Sequence, residues 1–498
     1  MKAVLALDQG TTGSTALVIG ADGTVRGRGY RELPQHFPAP GQVEHDPEDI
    51  LRVTLEAAQE AVARARVVPA CIGITNQRET VCVWERGTGR PLHRAIVWQD
   101  RRTAPRCAAL ARDARAASIR ERTGLVLDPY FSATKLEWLM EHAPGVRERI
   151  EAGDAVFGTV DTWLLHRLTD GATFATDPTN ASRTMLYDLA VGGWSDELLG
   201  WFGVPRWALP EVRRSSGEFG VTAPRHFGAE IPITGVAGDQ QAALFGQGCW
   251  TAGQAKNTYG TGAFLLLHTG GHRVTSAHGL LTTVACDATG APAFALEGSV
   301  FIAGAAIQWL RDGLQILAAA AESERLAREV PDTGGVYFVP AFVGLGAPHW
   351  EPNARGTIVG LTRGTGRAHL VRAALEAMAF STQEVLDAMT ADARLSLAEL
   401  QVDGGAAAND WLMQFQSDLL GVGVARPDLV ETTALGAAGL AGIAAGVWSR
   451  ATDFLAGRRF DRFTPGTDAA AVRARAGEWR RAVQAATQWA AAGRAASP

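Results

Sequence analysis

Residues 2–14 read Lys-Ala-Val-Leu-Ala-Leu-Asp-Gln-Gly-Thr-Thr-Gly-Ser, an apolar run that ends in an acid and a turn rich in glycine and threonine. The run is typical of a short buried strand, and a second apolar run, 15–19, follows the turn. Backbone N–H groups and hydroxyls in such a turn can all point at one anion. The stretch therefore predicts either a phosphate-binding hairpin or a tight turn that merely needs glycine.

The same arrangement recurs near residue 260. Residues 255–259 lead into Gly260-Thr261-Gly262, and another apolar run, 263–267, follows. At 498 residues the chain is too long for one hydrophobic core, and two related domains would explain the recurrence, although any β-rich chain offers such hairpins. We place the boundary near Gly248, which gives an N-terminal domain 1–248 and a C-terminal domain 249–498.

Composition excludes several classes of protein. The net charge of −5 and the pI near 6.2 give no sign of a nucleic-acid or anionic-membrane partner. The five cysteines form no Cys-x-x-Cys pair, which indicates free thiols in a reducing compartment. The first apolar run meets Asp8 too early to be a signal-peptide core, and the stretch 434–448 is better explained as a buried helix than as a membrane span. We expect a cytoplasmic protein without stable membrane insertion.

Two common phosphate-binding motifs are absent from the sequence. A P-loop requires Gly-Lys, but the three lysines follow Met1, Thr134 and Ala255, and no Gly-x-Gly-x-x-Gly occurs. The two hairpins remain, and a pair of phosphate hairpins facing each other across a cleft is the device of actin-like ATPases. A third glycine-rich element, 402–409, either lets the backbone approach a nucleotide or packs a helix on a strand.

Nine segments, in order along essentially the whole chain, resemble one known family, the FGGY carbohydrate kinases, and several resemble its members that act on glycerol. The segments are 7–12 (LDQGTT), 73–80 (GITNQRET), 95–99 (AIVWQ), 161–163 (DTW), 179–185 (TNASRTM), 237–246 (AGDQQAALFG), 256–262 (KNTYGTG), 344–348 (GLGAP) and 413–418 (MQFQSD).

The resemblance implies an α/β protein of two actin-like (ribonuclease H-like) ATPase domains around a central cleft. Each domain would be a five-stranded mixed sheet with flanking helices. The implied reaction transfers a phosphoryl group from ATP to glycerol and gives ADP and sn-glycerol 3-phosphate, with Mg²⁺. The implied partners are these small molecules and further copies of the chain, in a dimer or tetramer.

An adjacent Arg78-Glu79 pair lies between the apolar runs 70–74 and 81–84, which we predict as buried strands. Glycerol carries three hydroxyls, so its site needs fixed donors and acceptors. Arg78 supplies a rigid fork of donors and Glu79 supplies acceptors. The alternative is an ordinary ion pair in a surface turn.

Other substrate roles come from the resemblance alone. Tyr130 is implied to offer its hydroxyl to glycerol, and Gln240 to touch it as well. Trp98 and Phe264 are implied to pack against the carbon backbone of glycerol. Without the resemblance, either aromatic side chain would be taken for a core residue.

Asp239 stands between a predicted strand and a predicted helix, in the segment 235–240. In phosphoryl transfer the protein mainly positions the reactants, and one carboxylate accepts the hydroxyl proton. The resemblance implies that Asp239 is this general base. It would also serve as a cap for the helix 240–245, and the two roles are compatible.

On the nucleotide side, Asp8 resembles the magnesium-associated acid of the family, and Mg²⁺ needs only one or two carboxylates. The implied phosphate contacts are Thr11, Thr12 and Thr261. The implied adenosine contacts are Gly304, Gln308, Gly405 and Asn409. The chain departs from the pattern at Thr15, where members acting on glycerol often carry an arginine near the phosphates. The loss of that charge bears on ATP affinity rather than on the reaction.

The segment 221–230 (VTAPRHFGAE) stands where the resemblance implies a variable regulatory loop. Some relatives bind fructose 1,6-bisphosphate there as an inhibitor, but this segment lacks the Gly-Gly pair needed, so we expect little inhibition. In others a phosphocarrier of the sugar phosphotransferase system phosphorylates a histidine. His226 partly fits that type, although Arg225 stands where an aromatic is usual, and the alternative is a solvated loop histidine.

Two other functions remain open at the level of sequence. An FGGY kinase for a pentulose or gluconate would need a wider site than the one formed by Arg78, Glu79, Trp98 and Phe264. A non-enzymatic actin-like protein that binds nucleotide and assembles would not need Arg78 and Glu79 beside a carboxylate such as Asp239.

Overall fold

The computed structural model describes residues 2–495. The strands are β1 Ala3–Gln9, β2 Gly13–Gly20, β3 Val25–Glu32, β4 Glu44–His45, β5 Cys71–Asn76, β6 Val81–Glu85, β7 Ala95–Ile96, β8 Ala155–Thr159, β9 Ala175–Thr176, β10 Tyr187–Asp188, β11 Gly193–Trp194, β12 Glu211–Val212, β13 Ile233–Gly238, β14 Ala255–Tyr259, β15 Ala263–Gly270, β16 Leu281–Cys286, β17 Pro292–Val300, β18 Tyr337–Val339, β19 Thr357–Val359, β20 Glu399–Asp403, β21 Gly423–Pro427 and β22 Phe460–Phe463.

The helices are α1 Pro47–Ala65, α2 Ala104–Leu110, α3 Arg115–Thr123, α4 Ala133–His142, α5 Val146–Ala152, α6 Val160–Leu168, α7 Pro178–Ala181, α8 Asp196–Phe202, α9 Pro224–Phe227, α10 Asp239–Gly246, α11 Gly304–Asp312, α12 Glu322–Arg328, α13 Arg367–Ala393, α14 Asp410–Leu420, α15 Thr432–Ala444, α16 Ala451–Leu455, α17 Ala469–Ala474 and α18 Ala476–Ala495. Arg206–Ala208 and Gly405–Ala408 form 3₁₀ turns.

Two large sheets share one order and one set of directions over five strands. The first sheet runs β13-β5-β1-β2-β3, and the second contains the equivalent order β21-β20-β14-β15-β17. In both, the first three strands are mutually parallel and the last two are antiparallel to their neighbours. The second sheet has one further strand at each edge, β22 and β16, beyond the five that the resemblance implied. The architecture is the predicted two-domain α/β fold.

Each glycine-rich turn joins the central strand of its sheet to the next strand. β1 continues into β2 and β14 into β15, and one backbone hydrogen bond closes each turn. The donor and acceptor lie 2.9 Å apart from Gly10 to Gly13 and 2.8 Å apart from Gly260 to Gly262. Both strand–turn–strand units are therefore present as predicted.

Four shorter strands form a sheet in the order β4-β7-β6-β8. Because β5 belongs to the first large sheet and β6 to this smaller one, residues 77–80 carry the chain from one sheet to the other. The remaining pairs are β9 with β12, β10 with β11 and β18 with β19. The segment 77–80 is thus held at both ends by buried strands.

Helices α10 and α15 each pack against the sheet of the other half. Leu244 of α10 is buried among residues of β15, β16 and β17. α15 covers the first sheet so closely that a Cβ on Gly73 of β5 would lie 2.1 Å from the Ala437 carbonyl oxygen. The helices cross where a Cβ on Gly436 would lie 1.8 Å from the Ala242 carbonyl oxygen. The domain boundary near Gly248 stays a prediction. Both helices, α10 and α15, pack against strands from the other side of that boundary.

The stretch 434–448 contributes most of α15, whose residues 434–442 are buried, so the prediction of a buried helix is confirmed. Within residues 2–495, no helix has the length and apolarity needed to cross a membrane. All five cysteines are buried free thiols.

The segment 221–230 contains the short helix α9, and one prediction about it is wrong. His226 is buried, with only 8% of its surface exposed, and is not a solvated loop histidine. Its Nε2 lies 3.3 Å from the Arg167 carbonyl oxygen of α6. Phosphorylation of His226 would require α9 to move away from α6.

Candidate active site

The link between β5 and β6 is fixed by side-chain hydrogen bonds. Asn76 Nδ2 donates to Asn180 Oδ1 over 3.0 Å, and Gln77 Nε2 donates to Gln9 Oε1 over 3.1 Å. Glu79 has a φ of +60°, a left-handed conformation that costs a non-glycine residue about 1–3 kcal/mol and persists where the surroundings over-determine it. Arg78 and Glu79 are therefore held in one orientation.

Arg78 is buried and is not part of a surface ion pair. Its Nη1 donates to Glu297 Oε2 over 2.6 Å and its Nη2 to Glu297 Oε1 over 3.1 Å. The third nitrogen, Nε, lies 3.1 Å from Asp239 Oδ1, and Nη2 also lies 3.3 Å from the Tyr130 hydroxyl. One guanidinium thus joins an acid of the second sheet to Asp239 and Tyr130.

Arg183 completes a buried network of charges. Its Nε donates to Glu79 Oε1 over 2.6 Å, and its Nη2 donates to Glu297 Oε1 over 3.0 Å. The guanidinium carbon also lies 5.3 Å from the centre of the Tyr130 ring, a cation–π contact. Two guanidiniums and two carboxylates therefore neutralise each other below the cleft.

The two buried glutamates differ in their acidity. Burial alone would raise the pKa of Glu297, but the guanidiniums of Arg183 and Arg78 outweigh it and hold that pKa at about 2. Burial raises the pKa of Glu79, and the same two guanidiniums only partly oppose the shift. Glu297 is thus the firmly ionised partner of both arginines.

Asp239 is the first residue of α10, and the cap position belongs to Gly238, so the prediction that Asp239 caps the helix is corrected. Oδ1 of Asp239 accepts the Gln240 N–H over 2.7 Å in addition to its contact with Arg78. Within residues 2–495, Oδ2 has no hydrogen-bond partner, and 30% of the side chain is exposed. One oxygen is therefore fixed, and the other is unpaired on a partly exposed side chain.

Gln240 ties α10 to the second sheet, because its Oε1 accepts a hydrogen bond from Lys256 Nζ. Lys256 of β14 stands opposite Leu266, which stands opposite Glu297 in the next strand. Phe264 lies two residues from Leu266 and so shares this face of the sheet. Burial lowers the pKa of Lys256 to about 8.

Trp98 links the substrate residues to the first hairpin. Its Nε1 donates to Thr11 Oγ1 over 2.8 Å. Its ring meets the Tyr130 ring edge to face, with the ring centres 5.4 Å apart. The Trp98 indole therefore contacts both Thr11 of the first hairpin and Tyr130.

Asp8 lies at the end of β1, where the first hairpin begins. Burial, followed by the negative charges of Asp239 and Glu431, raises its pKa to about 7. Within residues 2–495, the Asp8 carboxylate has no hydrogen-bond or ion-pair partner. No group of three or more metal-ligating side chains is assembled in this part of the chain. A lone acid in a negative field fits a hydrated Mg²⁺, which needs few protein ligands.

The second hairpin packs against the start of α11. The Thr261 carbonyl oxygen accepts a hydrogen bond from the N–H of Ala303 over 2.8 Å. Thr261 as a whole is an exposed residue. A Cβ on Gly304 would lie 2.6 Å from the Gly260 carbonyl oxygen. Gln308 follows Gly304 by one helical turn and is exposed on the same side.

The glycines of the element 402–409 serve different purposes. Gly404 has a φ of +85°, and a Cβ there would lie 2.4 Å from the Tyr259 carbonyl oxygen, so Gly404 packs the turn on β14. A Cβ on Gly405 would meet nothing within 4 Å, so this glycine faces open space. Asn409 caps α14 and accepts the N–H of Leu412 over 2.9 Å.

The structure brings Arg78, Glu79, Tyr130 and Asp239 into one network. Of the residues predicted for adenosine, Gly304 packs against the second hairpin, and Gly405 and Asn409 lie in the element that follows β20. Sequence reasoning missed three members of the site, namely Arg183, Lys256 and Glu297. Arg183 and Lys256 lie within the resembling segments 179–185 and 256–262. Glu297 had a signal of its own, because it is a charged residue in the otherwise apolar strand β17.

Residues 3–246 match the N-terminal domain of the FGGY family of carbohydrate kinases, and residues 255–445 match its C-terminal domain. A glycerol kinase from Bordetella parapertussis is 56% identical over 495 residues, covering 98% of this chain and 97% of the relative. A glycerol kinase from Trichlorobacter lovleyi is 59% identical over 451 residues, covering 90% and 91%.

Solved structures agree in fold. The crystal structure of Plasmodium falciparum glycerol kinase with ADP is 36% identical, covers 98% of both chains and has a TM-score of 0.92. The crystal structure of gluconate kinase from Lactobacillus acidophilus, at 20% identity, also covers 98% of both chains with a TM-score of 0.89, which shows the fold alone. From the two domain matches and the relatives together, the chain belongs to the FGGY family of carbohydrate kinases.

Proposed function

We propose that this kinase transfers a phosphoryl group from ATP to glycerol and produces sn-glycerol 3-phosphate. Relatives named glycerol kinase, more than half identical over nearly the full chain, support the substrate. The observation that carries the proposal is the state of Asp239. One carboxylate oxygen is fixed by Arg78, and the other, on a partly exposed side chain, has no partner within residues 2–495.

The proposed glycerol contacts are Arg78, Glu79, Trp98, Tyr130, Asp239, Gln240 and Phe264. The Tyr130 hydroxyl accepts from Arg78, so its own hydrogen is free to point at a substrate oxygen. The rings of Trp98 and Tyr130 are in contact and would form the apolar wall for three carbons. This wall and the fixed charges suit a small polyol better than a five- or six-carbon sugar.

In the proposed reaction, Asp239 Oδ2 accepts the proton of the attacking glycerol hydroxyl. The new bond joins that oxygen to the terminal phosphorus of ATP, and the bond to the bridging oxygen breaks to leave ADP. Arg78 holds Oδ1 through the step and keeps Oδ2 directed into the cleft. Asp8 would hold Mg²⁺, which when bound neutralises charge on the phosphate chain.

The proposed nucleotide contacts are Thr11, Thr12 and Thr261 for the phosphates and Gly304, Gln308, Gly405 and Asn409 for adenosine. The first hairpin belongs to the proposed domain 1–248, and the adenosine contacts belong to the proposed domain 249–498. By family resemblance we also propose that the enzyme works in the cytoplasm as a dimer or tetramer.

The test is turnover of purified protein with MgATP and, in parallel, glycerol, dihydroxyacetone, xylulose and gluconate. We expect the highest kcat/KM for glycerol. Preference for xylulose or gluconate would move the chain to another specificity within the family. Nucleotide binding without turnover of any of the four would favour the non-enzymatic alternative.

A further inference from the structure

The residue opposite Thr15 is a tyrosine on the neighbouring strand. Asp8 of β1 pairs with Thr15 of β2, and Thr15 pairs with Tyr30 of β3. Side chains at directly opposed positions lie on the same face of a sheet. Asp8, Thr15 and Tyr30 therefore form one row across the three strands. The first hairpin begins two residues beyond this row along β1 and β2.

The Tyr30 ring leans from this row toward the hairpin. A Cβ on Gly13 would lie 2.7 Å from the Tyr30 hydroxyl oxygen and 2.6 Å from the Arg31 carbonyl oxygen. Gly13 has no positive φ, so a side chain is excluded there by lack of space rather than by backbone conformation. Thr15 is short, which leaves the ring room to lie in this position.

The arginines beside Tyr30 are engaged with acids. Arg31 contacts Glu60 over 2.5 Å, and Arg28 contacts Glu431 over 3.1 Å. Within residues 2–495 the Tyr30 hydroxyl has no hydrogen-bond partner, and 41% of the residue is exposed. The Tyr30 hydroxyl is thus an unused donor beside the hairpin, whereas each neighbouring guanidinium is held by a carboxylate.

We propose that the Tyr30 hydroxyl donates a hydrogen bond to a phosphate oxygen of the nucleotide bound at the first hairpin. This inference rests on the proposed function, because it takes the segment Gly10–Gly13 as the phosphate site. Tyr30 then supplies a neutral donor from β3 at the level of Thr15, where the chain has no cation.

The test compares Tyr30→Phe with the matched control Tyr187→Phe, which removes a hydroxyl in the buried core beside β11. Calorimetry measures the Kd of MgADP, and kinetics measures the KM of ATP and of glycerol. We expect Tyr30→Phe to raise both nucleotide constants about 3- to 10-fold, the effect of one hydrogen bond, with the glycerol KM unchanged. The control should change none of the three.

Tyr30→Ala removes the ring as well as the hydroxyl, so adding Thr15→Arg to that variant should tighten the Kd of MgADP again, because the arginine then has room and supplies a cation beside the hairpin. A Kd for Tyr30→Phe within twofold of wild type would overturn the inference while wild-type turnover of glycerol left the proposed function standing. Wild-type protein that bound no MgADP would overturn both.

Discussion

Replacement of Glu297 by glutamine tests whether the buried charge network positions the active site. The carboxylate accepts three hydrogen bonds, two from Arg78 at 2.6 and 3.1 Å and one from Arg183 at 3.0 Å. Glu297→Gln keeps the shape of the side chain but removes its charge and one acceptor oxygen. Its amide N–H₂ would then face a guanidinium, and Arg78 would lose part of the anchor that directs its Nε at Asp239.

The size of the effect follows from the acidity of Glu297. A fall in pKa from 4.5 to about 2 corresponds to about 3 kcal/mol of favourable interaction with the ionised form. If the whole of this interaction energy stabilises the transition state, by way of Arg78 and Asp239, its loss lowers kcat/KM for glycerol about 100-fold. We expect a loss of this order, mainly as a higher KM for glycerol, with the KM for ATP nearly unchanged.

The same interaction gives a pH dependence with a defined sign. Because the pKa is lowered in the folded state, the contribution to stability is present above pH 4.5 and is lost as the pH falls toward 2. The difference in thermal midpoint between wild type and Glu297→Gln should therefore shrink across that window.

Glu376→Gln is the matched control, because Glu376 is also buried and also binds two arginines. These are Arg372, which lies on α13 with Glu376, and Arg475, which follows α17. It should lower the thermal midpoint and leave the KM for glycerol unchanged. If both variants changed the glycerol KM equally, or if Glu297→Gln changed only stability, the positioning role of Glu297 would be refuted.

Asp239→Asn should lower kcat about 10²- to 10⁴-fold, the usual worth of a general base, with the Kd of glycerol nearly unchanged; a near-normal kcat would exclude Asp239 as the base. Arg78→Ala should raise the KM of glycerol far more than that of ATP, since a charged partner of Asp239 is lost; equal changes in both KM values would indicate a purely structural role. The pKa of Lys256 near 8 means that the unfolded chain holds this proton more tightly, so wild type should gain stability relative to Lys256→Met as the pH rises from 8 to 10.5. Thermal midpoints measured across that range test the sign, and parallel slopes would contradict it.

The sequence predicted those parts of the fold that depend on local pattern. Apolar runs predicted β1, β5 and β15, and the glycine-rich turns predicted both hairpins. Asp46 followed by Pro47 begins α1 as such a pair should, with the Asp46 side chain accepting the Glu48 N–H. These features depend only on residues that are close in the sequence, and so the sequence alone predicts them.

Pairings between distant residues could not be predicted in the same way. Arg78 and Glu297 are 219 positions apart, and nothing local in either segment indicates the other. Resemblance identified Arg78, but only the meeting of the two sheets shows that a residue of β17 holds it. His226 was misjudged for the same reason, since the contact that buries it comes from α6.

The exchange of α10 and α15 between the two sheets has a consequence for synthesis on the ribosome. The face of the first sheet that carries Val4, Ala6 and Leu17 is packed against α15, which ends at residue 444. When residue 248 has been made, about 200 residues must still follow, which takes roughly 10–40 s at about 5–20 residues per second. During that interval the first sheet still lacks α15, which covers the larger part of this apolar face in the complete chain. We expect chaperones that bind such faces to engage this stage of synthesis, and the first half expressed alone to aggregate.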